Sequence, residues 1–292
     1  MYRAIITDID GTLRDDVEGV PGSAELAFEL CRAAGIATVV CTGRNLGSVQ
    51  DDVMALRPDA LITGGGCRVQ CGNDLLVSAT FSASDARAMH DWAHEADLAF
   101  SFETLDCVYT DVRMARACGD DFEAKIAARG LSGRRAQIVA ANRLNYEDNM
   151  GRLEACGAWG LAHKVTVLGP RADVDEMASR FSAVTQTVQL RDWGDRYFWE
   201  ALPAGCDKGS AARKLCSALG IAPEQTMGFG DSQNDVDLLR FVGHGFAVRG
   251  APPELLAVAD GVCDTPANDG LLKALLGTKV IDATGPKERI SA

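Results

Sequence analysis

The sequence predicts an α/β fold: a parallel sheet with helices on its faces, interrupted by an inserted α+β segment. Three observations carry that expectation. Apolar runs rich in β-branched residues alternate with helix-like stretches from the N-terminus to about residue 66, an order that argues for parallel strands joined by crossover helices. The same alternation returns from about residue 205. Between them, from about residue 82 to 190, strands and helices follow no such order, which reads as a separate α+β unit. The expected division is a core formed by residues 1–81 and 191–292, with an insert at 82–190.

Taken in order, Ala4, Ile5 and Ile6 form a buried strand that Gly11 ends in a turn. Gly22-Ser23 starts a helix to about Ala34 that stops at Gly35, and Ile36–Cys41 is the second strand. A helix is expected from Asn45 to about Leu56, then a strand at Ala60–Thr63 and a tight turn at Gly64-Gly65-Gly66. Arg68–Cys71 and Leu75–Ala79 flank Gly72-Asn73-Asp74 as a β-hairpin. In the insert, Ser82 caps a helix to about Leu98, and Phe100–Tyr109 is strand-like. Asp121–Arg129 reads as helix, Gln137–Ala140 as strand, Asn149–Cys156 as helix, Lys164–Leu168 as strand and Asp173–Ser182 as helix. Val184–Leu190 with Arg196–Leu202 form an antiparallel pair. Thereafter Lys208–Leu219, Asn234–Phe241, Pro252–Val258 and Gly270–Leu276 are helices, and Thr226–Gly230, Gly245–Val248 and Gly261–Cys263 are strands. The last dozen residues lose apolar periodicity and are expected to be a loose tail.

Composition narrows the class. At 292 residues, 47% apolar and 24% charged, the chain suits a soluble globular protein with a sizeable core. A net charge of -12, with no Lys/Arg cluster, argues against nucleic acid or an anionic membrane as partner. No leader-like basic stretch precedes an apolar segment, and no apolar run is long enough to span a bilayer. The ten cysteines are scattered through a long chain, which favours reduced thiols and a cytoplasmic location. His90 and His94 share a helix face without a third ligand in evidence, and read as surface. Oligomeric state is not legible.

The chemistry gathers at strand ends. Asp8 and Asp10 sit two apart at the tip of a buried strand, where like charges repel and a cation would remove the cost. Thr42-Gly43 follows the second strand and offers a hydroxyl and backbone N–H groups to phosphate oxygens. Lys208 stands near a helix start, at the positive end of the helix dipole, which favours an anionic partner. Gly230-Asp231-Ser232-Gln233-Asn234-Asp235 places Asp231 just past a strand and Asp235 four residues on, hard oxygen ligands of the kind that suit Mg2+. In an open α/β sheet, ligands collect outside the carboxyl ends of the strands, so these distant residues should meet at one rim.

Asp8-Ile-Asp10-Gly11-Thr12-Leu13, Cys41-Thr42-Gly43-Arg44, Lys208 and Gly230-Asp231-Ser232-Gln233-Asn234-Asp235 resemble, in order, the four motifs of the haloacid dehalogenase superfamily. The insert between the second and third motifs resembles the type IIB cap, as in the Cof-like and sucrose-phosphatase-like sugar phosphatases. The resemblance implies a Rossmann-like core with a cap, and a Mg2+-dependent phosphomonoesterase acting on a small phosphorylated metabolite such as a sugar phosphate. It implies Asp8 as nucleophile and Asp10 as general acid, then base. It further implies Asp8, the Asp10 carbonyl, Asp231 and Asp235 around Mg2+, with Thr42, Gly43, Lys208 and Asn234 on the phosphoryl group and Arg44 as a weaker candidate. A phosphomutase using the same intermediate, or a non-catalytic sensor of a phosphorylated ligand, are the alternatives. The cap is expected to close over the site and choose the substrate. Gly64-Gly65-Gly66 stands where Cof-like members often carry Asn-Gly.

Overall fold

A computed structural model of the chain describes residues 1–133, 150–152 and 157–281. Its strands are β1 (Ala4–Thr7), β2 (Ala37–Cys41), β3 (Ala60–Thr63), β4 (Arg68–Cys71), β5 (Asp74–Ser78), β6 (Ala99–Glu103), β7 (Val108–Thr110), β8 (Met150–Arg152), β9 (Lys164–Gly169), β10 (Thr185–Trp193), β11 (Arg196–Pro203), β12 (Thr226–Gly230), β13 (His244–Val248) and β14 (Gly261–Cys263). They form two sheets.

The larger has the order β14-β13-β12-β1-β2-β3-β4-β5, parallel from β14 to β3 and closed by two antiparallel strands. Its central strand β1 is buried throughout, and successive residues serve opposite faces. Ile5 packs with Phe28 of helix Gly22–Ala33 in one apolar layer, whereas Ile6 packs with Ala211 and Leu215 of helix Lys208–Leu219 in the other. With a layer on each face, the strand's carboxyl end is the edge left for polar residues, and Asp8 follows there.

The second sheet has the order β10-β11-β9-β6-β7-β8 and is antiparallel except at β7 and β8. Phe100, Phe102, Val165, Val167 and Trp199 pack on one face against helices Ala83–Glu95 and Arg171–Arg180. Residues of the other parity, Ala99, Leu168 and Phe198, pack with Met114 of helix Val112–Arg129.

Several local expectations change. The second sheet runs beyond residue 190, because β10 and β11 form one hairpin around Gly194, and β11 carries the fully buried Trp199 into that sheet's core. Phe100–Tyr109 is two strands with a turn between them, since the Thr104 N–H closes on the Cys107 carbonyl at 2.8 Å. The helix expected over 121–129 begins at Val112. Where a helix is expected from Asn45, the Asn45 side chain caps a 3-10 turn at Leu46–Ser48, and the extended backbone of Val49 and Gln50 separates it from a short helix at Asp51–Met54. Met150–Arg152 is strand where a helix is expected. Gln137–Ala140, residues 153–156 and the tail from 282 lie outside the described residues. Gly64, Gly65 and Gly66 all have positive φ, as the tight turn requires. No helix among the described residues is long and apolar enough to cross a membrane.

Candidate active site

Four loops leave the carboxyl ends of β1, β2 and β12 or enter helix Lys208–Leu219, and they converge. Asp8 follows β1 and is tied to the neighbouring strand by its N–H, which donates to the Phe229 carbonyl at 3.0 Å. Its carboxylate is buried, at 4% exposure, and accepts from Lys208 Nζ at 2.7 Å. The same ammonium donates to Asp235 Oδ1 at 2.6 Å. Lys208 is the first residue of its helix, held there by a capping box between Asp207 and Ser210. A buried lysine at a helix N-terminus is costly by desolvation and by the dipole, so its two carboxylate partners are what keep it charged and raise its pKa. The anionic partner expected for Lys208 therefore includes the site's own aspartates.

Asp235 is wholly buried and fully engaged. Its Oδ1 takes Lys208, and its Oδ2 accepts the N–H groups of Asp231 and Ser232, each at 3.1 Å. It thus holds the loop that presents Asp231. Asp231 accepts a long 3.4 Å hydrogen bond from Thr12 Oγ1 and lies against Gly11, where a Cβ would come within 2.6 Å of Asp231 Oδ2. Gly11 also has φ +79°, so both its backbone and its contact with Asp231 demand glycine. Asn234 accepts from Ser232 Oγ at 2.9 Å and lines the same cavity as Thr42 and Gly43. The buried Thr42 receives Arg44 N–H on its Oγ1 at 3.1 Å, which shapes the loop after β2.

Asp10 has a partner that its place in the sequence does not reveal. Arg44 clamps both of its oxygens, Nε to Oδ2 at 2.6 Å and Nη2 to Oδ1 at 2.9 Å. Burial alone would raise its pKa, but the guanidinium overcomes this and holds the carboxyl below the usual range. In this geometry the Asp10 carboxyl is paired with Arg44, and the guanidinium would have to move before Asp10 could exchange a proton. Arg44, a minor candidate from sequence, is thus a principal member of the site.

Asp8, Asp231 and Asp235 each offer an oxygen within 4.8 Å of the others. Burial raises Asp8 well above the carboxylate range even against Lys208, and burial with the Asp235 charge pushes Asp231 up to about 7. Four carboxylates face two cations, Lys208 and Arg44, so formal charge is short by about two positive units. A hard divalent cation fits this donor set, because it would restore the ionised form of both raised aspartates. The Asp8 and Asp231 carboxylates accept one hydrogen bond each, against several at Asp235, and Asp231's is the long one from Thr12, so these two are freer to coordinate than Asp235.

The rim opens into a cavity of about 570 Å³ whose far wall comes from the second sheet: Glu103, Lys164, Gln189, Arg191 and Glu200. None of these was reached from sequence. The one signal available was Lys164 itself, a charge at the head of the apolar strand Lys164-Val-Thr-Val-Leu-Gly.

Set beside known proteins, residues 5–275 match the family model of haloacid dehalogenase-like hydrolases. The HMP-PP phosphatase of Cronobacter sakazakii is 28% identical over 264 residues, covering 88% of each chain. Among solved structures, a haloacid dehalogenase-like hydrolase from B. subtilis superposes with a TM-score of 0.77 at 20% identity, over 94% of this chain and 99% of that one. The subclass IIB sugar phosphatase BT4131 does so with a TM-score of 0.74 at 20% identity, over 96% and 100%. The core with an inserted second sheet is the shared architecture.

Proposed function

The chain belongs to the haloacid dehalogenase-like hydrolases, and from that premise we propose that it is a Mg2+-dependent phosphomonoesterase acting on a small phosphorylated metabolite through a phosphoryl intermediate on Asp8. The observation that carries this reading is the buried Lys208 bridging Asp8 and Asp235 at 2.7 and 2.6 Å, with Asp231 on the same rim. The relatives named as phosphatases support it.

In this reading Asp8 and Asp231, with the Asp10 backbone carbonyl, hold the metal, while Asp235 fixes their loop and Lys208. Bound Mg2+ supplies positive charge to the nucleophile and to the phosphoryl oxygens. Thr42 Oγ1, the Gly43 N–H, Asn234 and Lys208 orient the phosphoryl group for in-line attack, where positioned positive charge is the main catalytic contribution. An Asp8 carboxylate oxygen forms the new bond to phosphorus as the ester P–O bond breaks. Once free of Arg44, Asp10 takes up a proton from solvent and passes it to the departing oxygen, then takes one from the water that releases phosphate from Asp8. Arg44 must first leave the Asp10 carboxylate, since it now occupies both oxygens. The substrate's own phosphate is the natural competitor for that guanidinium.

A screen of phosphorylated sugars, nucleotides, glycolytic acids and coenzymes, with Mg2+ and with EDTA, tests the proposal. Inorganic phosphate release that is lost in EDTA and restored by Mg2+ is the expected result. Isomerised sugar phosphate without free phosphate would make the enzyme a mutase, and inertness across the panel would favour a sensor.

A further inference from the structure

The cavity's outer wall carries a charged group that the phosphoryl chemistry does not use. Glu103 ends β6, Lys164 begins β9, and Glu200 lies within β11. The register places Glu103 directly opposite Lys164, and Glu200 opposite Thr166, so all three share one face of the second sheet. It is the face opposite the one that packs helices Ala83–Glu95 and Arg171–Arg180. Lys164 Nζ lies 2.8 Å from Glu103 Oε1 and 3.4 Å from Glu200 Oε2, and it donates to the Gly43 carbonyl at 3.0 Å. The side chains are 8%, 12% and 13% exposed.

Three acceptors use up the three N–H donors of the ammonium, so Lys164 has none left for a ligand. Its third bond crosses from the second sheet to the loop between Thr42 and Arg44, which ties the wall to the phosphoryl-binding rim. The glutamates are in the opposite position. Each is joined to the lysine through one oxygen, and a carboxylate has about four lone-pair sites. Two carboxylates on one ammonium leave an unbalanced negative charge in a buried place. Such an arrangement is a poor way to stabilise a fold, since apolar residues of similar volume commonly do as well or better. Facing a cavity that also holds Asp8, the surplus acceptors are suited to hydrogen-bond donors on a ligand. Among the described residues the other cation of this wall is Arg191, stacked 4.9 Å from the centre of the Trp193 ring and 4.8 Å from that of Phe198, and its Nε donates to Gln189 at 3.0 Å.

We propose that Glu103 and Glu200 form the leaving-group subsite, selecting phosphate esters whose alcohol carries hydrogen-bond donors, hydroxyl or ammonium, and disfavouring those that carry a carboxylate. Lys164 is the positioning residue that aims both glutamates and registers them on the Gly43 loop. This rests on the phosphatase reading and names the substrate class of that same site.

The test compares kcat/KM of the full chain in Mg2+ for a hexose 6-phosphate, phosphoethanolamine, 3-phosphoglycerate and p-nitrophenyl phosphate, in wild type, E103Q, E200Q and K164M, with thermal melts to establish folding. Wild type should favour one of the donor-bearing esters over 3-phosphoglycerate by about tenfold or more, the hexose phosphate if hydroxyls are read and phosphoethanolamine if an ammonium is. In E103Q and E200Q, which keep the side-chain shape, the ratio of that ester to p-nitrophenyl phosphate should fall by about tenfold. K164M should lower it further, and unlike a merely structural defect the change should appear in preference rather than in melting alone. A wild type that prefers 3-phosphoglycerate, or folded variants whose ratio stays within about twofold, would overturn the subsite while leaving the phosphatase reading intact. A wild type inert toward every ester, p-nitrophenyl phosphate included, would overturn both.

Discussion

The two walls of the cavity solve opposite problems with the same residue types. On the core rim, Lys208 is shared by Asp8, just past one parallel strand, and Asp235, in the turn that follows another, and the remaining negative charge around Asp231 is what a divalent metal would compensate. On the outer wall, Lys164 is shared by Glu103 and Glu200 across antiparallel strands, and its third bond goes to the Gly43 carbonyl. One lysine between two carboxylates is thus not a signature of one function. What distinguishes the pairs is what lies next to them: further aspartates at the rim, a backbone carbonyl of the facing loop at the wall. On the proposed reading the rim acts on any phosphate ester, and the wall chooses among them.

D8N separates the two walls by the largest effect. It should lower kcat by about 10⁴-fold or more for every ester, as removal of a nucleophile does, without shifting the preference among them. Phosphate release measured on two unlike esters checks this, and near-normal hydrolysis of either would remove Asp8 from its role.

Next in size is K208M, which strands two buried carboxylates and should cost about 3–5 kcal/mol of stability, read by denaturant unfolding. A loss well under 1 kcal/mol would mean that Lys208 does not hold the rim together.

The seam between the walls offers a smaller test. His163 precedes Lys164, its N–H donates to the Glu103 carbonyl at 2.9 Å, and its ring lies against Gly64. Burial, with the Lys164 charge, lowers its pKa to about 3. A histidine depressed in the folded state is protonated first in the unfolded chain, so its contribution is retained above about pH 6.5 and lost as pH falls from there toward 3. By pH 5 this amounts to about 2 kcal/mol, and H163Q should flatten that part of the stability profile. An unchanged profile between pH 7 and 5 would place the acid sensitivity elsewhere.

The difference between the walls also explains what could be read in advance. Asp8, Asp10, Thr42 and Asp231 each follow a strand of a parallel sheet, and in that topology the position after a strand is already a position on the rim. Glu103, Lys164 and Glu200 lie within antiparallel strands, where partners depend on register, and Glu103 meets Lys164 only because β6 and β9 pair at that offset. Nothing local to Phe-Glu-Thr or Trp-Glu-Ala reveals it. The Arg44 clamp on Asp10 escaped for a related reason: the spacing within Thr42-Gly43-Arg44 places the arginine near the rim but leaves its partner open. The expected end of the insert at residue 190 fell inside a hairpin, because the second half of that hairpin looks like any strand leading back to the core.

On the proposed reading, aspartates far apart in sequence share one rim because a divalent ion compensates them. Calorimetric titration of Mg2+ into wild type and D231N, both shown to be folded, tests it most directly. One Mg2+ should bind per wild-type chain, and binding should be at least about tenfold weaker in D231N. Equal binding by the two proteins, or no binding by wild type, would contradict it.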